Sequence, residues 1–262
     1  MSHDAGASER REVLGIGVDP LTMSHAVTRC TEAVERGNYL SVGVVNAAKV
    51  VAMRKDERLR QAVTGCGMVL ADGQSVVWAS RLLGSPLPER VAGIDLFKEL
   101  LSQAAFHGYR VYFLGAHPDV LPRTVAEAVR CYPGLIVAGA SDGYFPAAEA
   151  AAVAAKIRQK GPDLVFLGMS SPRKELFLSE WGASTRASVV HGVGGSFDIL
   201  AGLTRRAPVW CQDRGLEWLY RAWQEPRRLG GRYLTTNSAF LALVGREMLR
   251  RQITGRSLSA QP

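Results

Sequence analysis

The chain has 262 residues, of which 47% are hydrophobic and 21% are charged, as in an ordinary globular protein. This composition argues against extensive disorder, and the length suits one α/β domain or one such domain with an appendage. The formal charge is +8, and residues 201–262, with 11 arginines and four acidic residues, hold seven of those charges. A basic segment of this kind suits an anionic partner, whether a membrane surface, a pyrophosphate or nucleic acid.

Several classes of protein are excluded by local sequence. The N-terminal segment MSHDAGASERREV is polar, and no stretch approaches the roughly 20 apolar residues of a membrane-spanning helix. The four cysteines form no C-x-x-C pair, and neither a D-x-D motif nor a His, Cys and Asp grouping at ligand spacing occurs. We therefore expect free thiols and no tightly held metal. The expected location is the cytoplasm, with the protein either soluble or peripheral on the inner face of the membrane.

Apolar runs alternate with amphipathic segments along the first 202 residues. The apolar runs predict strands at residues 13–18, 39–45, 68–71, 110–114, 135–138, 163–167 and 188–191. Apolar residues at helical spacing predict helices at 22–36, 47–63, 75–83, 95–107, 120–131, 147–160 and 173–181. This order predicts an α/β domain over residues 1–202, with a mostly parallel sheet and helices on both faces.

Polar residues directly follow two of the predicted strands. Asn46 comes after strand 39–45, and Asp72 comes after strand 68–71. Asn46 could cap the next helix or face a ligand. Asp72 could open an ordinary Asp-Gly turn, or it could be a general base that takes the proton of an acceptor hydroxyl attacking a sugar carbon. The local sequence leaves both choices open.

Further candidate ligand-binding residues follow the other predicted strands or turns. They are Arg90 and Asp95 beyond the Pro86/Pro88 turn, Tyr144 in loop 139–145, Lys174 in turn 172–175, and Gly194, Gly195 and Asp198 after the last strand. The carboxyl ends of parallel strands meet at one edge of a sheet, where ligands bind. Glycines there let backbone N–H groups approach a phosphate, although such loops also occur where backbones simply pack closely.

The segment 203–262 differs in character and is predicted to be a basic, aromatic-rich helical appendage. Trp210, Trp218, Tyr220 and Trp223 are interspersed with arginines, and a last helix is predicted at 238–252. A helix with aromatic residues on one face and arginines on the other can lie on a membrane interface. The same composition also suits helices that pack their aromatic rings on the core and solvate their arginines.

Four motifs together resemble the WecG/TagA/CpsF family of bacterial glycosyltransferases. They are DGQSVVWASRLLGSPLPERVAGID, FLGMSSPRKE, GVGGSFDILAG and RAPVWCQDRGLEWLYRAWQEPRRLGGRYL, and the likeness covers residues 13–250 approximately. The resemblance implies a Rossmann-like domain with a C-terminal helical appendage. It also implies an inverting transfer of N-acetylmannosamine or a related hexose from a UDP-sugar to a polyprenyl-diphosphate-linked N-acetylglucosamine. No cofactor is expected beyond the nucleoside-diphosphate sugar, which is a co-substrate.

The resemblance also implies roles for single residues. Asp72 would be the catalytic base. The donor site would be lined by Asn46, Arg90, Tyr144, Gly194 and Asp198, to which position adds Asp95, Lys174 and Gly195. Arg221 and Arg228 would reach the diphosphate or the acceptor.

This sequence departs from the usual family pattern at three places. Val44 stands where the family usually has threonine, Lys174 where it has glutamine, and Gly168-Met169-Ser170 where it has Gly-Leu-Gly. These changes bear on the sugar and the acceptor rather than on the reaction class.

Two alternatives to the membrane-associated transferase remain. One is a soluble family member that glycosylates a small acceptor, at a hydroxyl or thiol, in antibiotic or other secondary-metabolite biosynthesis. The other is a nucleic-acid-binding protein, which would explain the basic tail but not the lack of a basic face in the core. We expect no nucleic-acid partner, whereas a peripheral membrane contact and a homo-oligomer are both compatible with the sequence.

Overall fold

A six-stranded parallel sheet lies at the centre of the fold. The computed structural model describes residues 9–224 and 231–258. The strands are β1 (Arg11–Val13), β2 (Ile16–Val18), β3 (Leu40–Val45), β4 (Met68–Ala71), β5 (Arg110–Gly115), β6 (Ile136–Ser141), β7 (Leu164–Gly168) and β8 (Val189–Gly192). Strands β3 to β8 form the sheet in the order β4-β3-β8-β7-β5-β6, and every neighbouring pair runs parallel.

Helices occur throughout the described residues, and most of them cover the two faces of this sheet. They are α1 (Met23–Glu35), α2 (Ala47–Met53), α3 (Glu57–Thr64), α4 (Gln74–Leu82), α5 (Gly93–His107), α6 (Leu121–Cys131), α7 (Ala150–Lys160), α8 (Arg173–Trp181), α9 (Ser196–Leu200), α10 (Val209–Asp213), α11 (Glu217–Gln224) and α12 (Gly231–Leu258). Helices α1, α5, α6 and α9 share an apolar cluster with Val44, and α2, α3, α4, α7, α8 and α12 share another with Val45. Neighbouring strand residues point to opposite faces, so the two clusters lie on opposite sides of the sheet. The predicted α/β fold is confirmed.

The first predicted strand, 13–18, is wrong in detail. The chain reverses at Leu14 and Gly15, whose φ angles are 54° and 77°, so β1 and β2 form an antiparallel hairpin apart from the main sheet. Two consecutive residues with positive φ are the mark of a tight hairpin turn. The turn could not be predicted from the sequence because leucine rarely adopts such a φ.

The predicted helix 47–63 is also wrong, because it is two helices. Asp56 lies between α2 and α3 in an extended conformation, and its side chain accepts a hydrogen bond of 3.0 Å from the backbone N–H of Leu59. An aspartate that caps the next helix in this way ends the preceding one. The turn brings α3 back against the sheet beside α2.

The last of the C-terminal helices packs against the α/β core. Helix α12 packs along α2, and its Phe240 and Val244 are buried in the same apolar cluster as Val50 and Met53. It is longer than the predicted helix 238–252. None of the helices in residues 9–224 and 231–258 has the length and hydropathy needed to cross a membrane.

Candidate active site

A cavity of about 670 Å³ opens at the carboxyl ends of β3, β4, β7 and β8, a size that suits a small-molecule ligand. The chain runs outward from β3 to β4 and then crosses to β5, on the far side of β8 and β7. Such a change of direction leaves a crevice outside the strand ends, where α/β proteins bind ligands. The predicted site residues that line this cavity are Asn46, Asp72, Arg90, Lys174, Gly194 and Gly195.

Asp72 is held by hydrogen bonds at both carboxylate oxygens. Its Oδ1 accepts a bond of 2.8 Å from the backbone N–H of Gly93, the first residue of α5, and its Oδ2 accepts one of 3.3 Å from Nδ2 of Asn46. The side chain is half-buried and lines the cavity. A carboxylate that is fixed in this way and still reaches a ligand cavity can act as a general base.

Asn46 both caps a helix and lines the cavity. Its Oδ1 accepts a hydrogen bond of 3.0 Å from the backbone N–H of Lys49 at the start of α2, while its amide nitrogen donates to Asp72. An asparagine can do both because its side chain carries an acceptor and two donors. The two interpretations that the sequence left open for Asn46 are therefore compatible in this geometry.

Lys174 belongs to a buried cluster at the cavity wall, with Lys49 and Glu175. The ammonium groups of Lys174 and Lys49 lie 2.6 Å and 2.8 Å from the same oxygen, Oε1 of Glu175, and Lys49 also donates to the carbonyl of Val44 at 2.7 Å. Burial raises the pKa of Glu175, but Lys49 and Lys174 outweigh it and lower that pKa to about 2. Burial and the charge on Lys49 lower the pKa of Lys174 to about 8, against the attraction of Glu175.

The C-terminal segment adds charged partners to the rim of the cavity. Arg90, on the rim, lies 3.2 Å from a carboxylate oxygen of Glu217 in α11. Asp95 forms a bidentate ion pair with Arg206, and its Oδ2 accepts the Nη2 hydrogen bond at 2.7 Å. Burial lowers the pKa of Arg206, but Asp95 outweighs it and raises that pKa. Asp95 thus holds the C-terminal segment and is not part of the cavity wall.

Four predicted residues remain, and the structure describes the side chains of two of them. Tyr144 follows β6 at the far edge of the sheet, with 69% of its surface exposed and its ring 5.3 Å from that of His117. Asp198 lies in α9, and neither residue lines the cavity. Arg221 lies in α11 but its side chain is outside the described part of the chain, as is all of Arg228. Their roles stay predictions.

Several cavity residues were not anticipated from the sequence. They are Lys49 of α2, Gly215 and Trp218 next to and within α11, and Thr236 and Asn237 of α12. Lys49 follows Asn46 by less than one helical turn, a spacing that could have indicated it. The residues of α11 and α12 carry no such signal, because only the packing of the C-terminal helices brings them to the cavity.

Comparison with known proteins is consistent with this geometry. Residues 11–254 match the family described as Glycosyl transferase WecG/TagA/CpsF family. The chain belongs to this family. It is therefore a glycosyltransferase, and the cavity with Asp72 is the candidate active site of this family member. In the described residues of the transferase, no group of three His, Cys, Asp or Glu side chains is placed to hold a metal ion.

Two relatives of this transferase come from Bacillus, and both are called N-acetylglucosaminyldiphosphoundecaprenol N-acetyl-beta-D-mannosaminyltransferase. The Bacillus spizizenii (strain W23) protein is 37% identical over 174 residues, which are 66% of this chain and 67% of that protein. The Bacillus subtilis (strain 168) protein is 36% identical over 187 residues, which are 71% of this chain and 72% of that protein.

Proposed function

We propose that this transferase moves an N-acetylmannosamine-type or related hexose from a nucleoside-diphosphate sugar to a polyprenyl-diphosphate-linked acceptor, with inversion at the anomeric carbon. The names of the two Bacillus relatives support both the sugar and the lipid-linked acceptor. The observation that carries the proposal is the placement of Asp72, held by Gly93 and Asn46, in the wall of a ligand-sized cavity.

In the proposed reaction Asp72 is the general base. Its carboxylate takes the proton of the acceptor hydroxyl, whose oxygen forms the new bond to the anomeric carbon of the donor. The bond from that carbon to the diphosphate breaks, and the nucleoside diphosphate leaves with the electron pair. Asn46 and the backbone N–H of Gly93 orient the base throughout.

Cationic and backbone groups of the same cavity would stabilise the leaving diphosphate. Arg90 can bind phosphate oxygens through its planar guanidinium group, and Lys174 adds a positive charge. Gly194 has a φ of 56°, which glycine adopts without strain, and its N–H donates to the carbonyl of Leu167 at 3.1 Å. The N–H of the next cavity residue, Gly195, is therefore the one in this loop that could face an anion. Charge that develops on the leaving group is best stabilised by such preorganised groups.

Exposed aromatic residues support action at a membrane surface. Trp210 in α10 and Trp223 in α11 have 56% and 76% of their surfaces exposed, in the most basic part of the chain. Tryptophan and arginine together favour the interface of an anionic membrane. We infer peripheral contact with the inner face of the membrane, where a lipid-linked acceptor would be reached.

A small soluble acceptor is the second candidate. It is favoured by Val44 and Lys174, two departures from the family pattern that both line the cavity. A changed residue at the cavity wall alters which substrate fits without changing the reaction.

The proposal is tested by transfer assays with the purified protein. A panel of nucleoside-diphosphate sugars is offered with a prenyl-diphosphate-linked N-acetylglucosamine or with small hydroxyl and thiol acceptors, and release of the nucleoside diphosphate is measured. Acceptor-dependent release with the lipid-linked substrate, lost in Asp72→Asn, is the expected result. Release with small acceptors alone would replace the first candidate by the second, and no release with any donor would refute both.

A further inference from the structure

A buried histidine lies directly behind the anchor of Asp72. His191 is in the middle of the sheet, in β8, and has no exposed surface. Its Nε2 lies 3.1 Å from the carbonyl oxygen of Gly93 in α5, and its Nδ1 lies 3.4 Å from the carbonyl oxygen of Val42 in β3. It does not line the cavity, so it has no contact with a substrate bound there.

The ring of His191 is neutral and donates one hydrogen bond. Burial lowers its pKa, although the two backbone carbonyls oppose this change. A neutral imidazole carries a single N–H, and the shorter contact assigns this hydrogen to Nε2. His191 therefore donates to the carbonyl of Gly93, and its Nδ1 makes no comparable bond.

Gly93 is the residue that connects His191 to Asp72. Its backbone N–H donates to Oδ1 of Asp72 at 2.8 Å, and its carbonyl accepts from His191. A Cβ atom at this position would lie 3.4 Å from Val44 and 3.6 Å from the ring of His191, so the backbone of Gly93 lies close against both. The position of the amide that orients the carboxylate thus depends on the histidine.

We propose that His191 is a positioning residue for the transfer reaction: by fixing Gly93 at the start of α5, it holds the carboxylate of Asp72 at the angle needed for proton transfer. This inference rests on the proposed function, in which Asp72 is the base. A reacting group displaced by about 1 Å can lose about 10²-fold in rate. The effect should fall on kcat, whereas the KM for the donor should stay unchanged because His191 does not touch the cavity.

The test compares two substitutions at the same site. His191→Met has no donor and should lower kcat by about tenfold or more. His191→Gln should keep kcat within about threefold of the original, because its amide nitrogen stands near the place of Nε2 and can donate to Gly93. Should the methionine variant not fold, His191→Asn serves instead, since its shorter amide reaches towards Val42 and not Gly93.

A matched control removes a buried hydrogen bond shortly before the amino end of β8. Thr185 is fully buried and donates to the carbonyl of Gly182 at 2.6 Å, so Thr185→Val should lower the melting temperature without lowering kcat. The inference is overturned if His191→Met keeps full kcat. It is also overturned if the methionine and glutamine variants lose kcat to the same extent and this loss parallels the decrease in their melting temperatures. If either of these results is found and Asp72→Asn still loses activity as expected, the proposed function remains intact. An unsubstituted protein without transferase activity would instead count against the proposed function.

Discussion

Replacing Glu175 by glutamine should destabilise the protein far more than a single carboxylate usually does. The change is nearly isosteric, but it leaves the ammonium groups of Lys49 and Lys174 buried around an uncharged amide, where each lay less than 3 Å from a carboxylate oxygen. Removing one member of a buried ion pair costs about 3–5 kcal/mol, because the remaining charge is left without compensation. We expect a loss of this size in the free energy of unfolding at pH 7.

The pKa of Glu175 gives the same magnitude by another route. Because the lysines lower it from 4.5 to about 2, the carboxylate stabilises the fold fully above about pH 4.5, and this contribution disappears as the pH falls towards 2. At about 1.4 kcal/mol for each pH unit between those values, the contribution is about 3 kcal/mol. The original protein should therefore lose stability over this acidic range, and the glutamine variant should lose correspondingly less.

Lys174, in contrast to Glu175, should make the fold less stable at neutral pH than at alkaline pH. Folding lowers its pKa from 10.5 to about 8, so the folded protein gives up the proton between these values while the unfolded chain retains it. Stability should then rise from pH 8 to 10.5. This rise should be absent in Lys174→Gln, which also restores the residue usual in the family and should shift donor preference rather than the fold.

Urea unfolding followed by tryptophan fluorescence measures these free energies. The matched control is Glu180→Gln, since Glu180 lies on the same helix and its ion pair with Arg58 at 3.0 Å is exposed. Exposed pairs contribute at most about 1 kcal/mol. If Glu175→Gln loses no more stability than Glu180→Gln, the two lysines are not held by this carboxylate and the reasoning fails.

Three further results are expected. Asp72→Asn should lower turnover by about 10²-fold or more while nucleotide affinity stays nearly intact, whereas the control Asp163→Asn, at the amino end of β7, should keep its turnover. Steady-state kinetics measures the turnover and calorimetry measures the nucleotide affinity. Normal turnover in Asp72→Asn would exclude Asp72 as the base. Asn46→Ser keeps a good helix cap but loses the hydrogen bond to Asp72, so kcat should fall with little change in melting temperature. A loss of stability with unchanged kcat would mean that Asn46 serves only as the cap of α2. Trp223→Ser should weaken co-sedimentation of the protein with anionic liposomes. The control Phe106→Ser, which changes a comparably exposed phenylalanine on α5, should not weaken it. Equal co-sedimentation of the two variants would argue against membrane contact through α11.

The sheet could be predicted from the sequence because most of its strands are buried on both faces. Runs such as β3 and β4 contain almost only apolar residues, and the polar residues that follow them, Asn46 and Asp72, marked the edge where the cavity lies. The hairpin at Leu14 was missed because its backbone conformation is rare for leucine. The break between α2 and α3 was missed because Asp56 looks like an exposed helical residue until its cap is seen.

The charge partners in the candidate site could not be predicted, because they join distant parts of the chain. Nothing near Asp95 in sequence indicates that Arg206 will take up its carboxylate. Likewise, Lys49 and Glu175 meet only because β3 and β7 lie on either side of β8, which brings the first turns of α2 and α8 close together. Local patterns give the positions of such residues along the strands, whereas their pairing depends on strand order.

The packing of α12 on α2 has a consequence for experiments on membrane binding. A protein cut after Gly202 would lose Phe240 and Val244 from the core and would expose the apolar side of α2 with Val50 and Met53. Newly exposed apolar surface of this kind adheres to vesicles and to other copies of the chain. A shortened protein could therefore sediment with liposomes for reasons unrelated to α10 and α11, and single substitutions of exposed aromatic residues are the sounder probe.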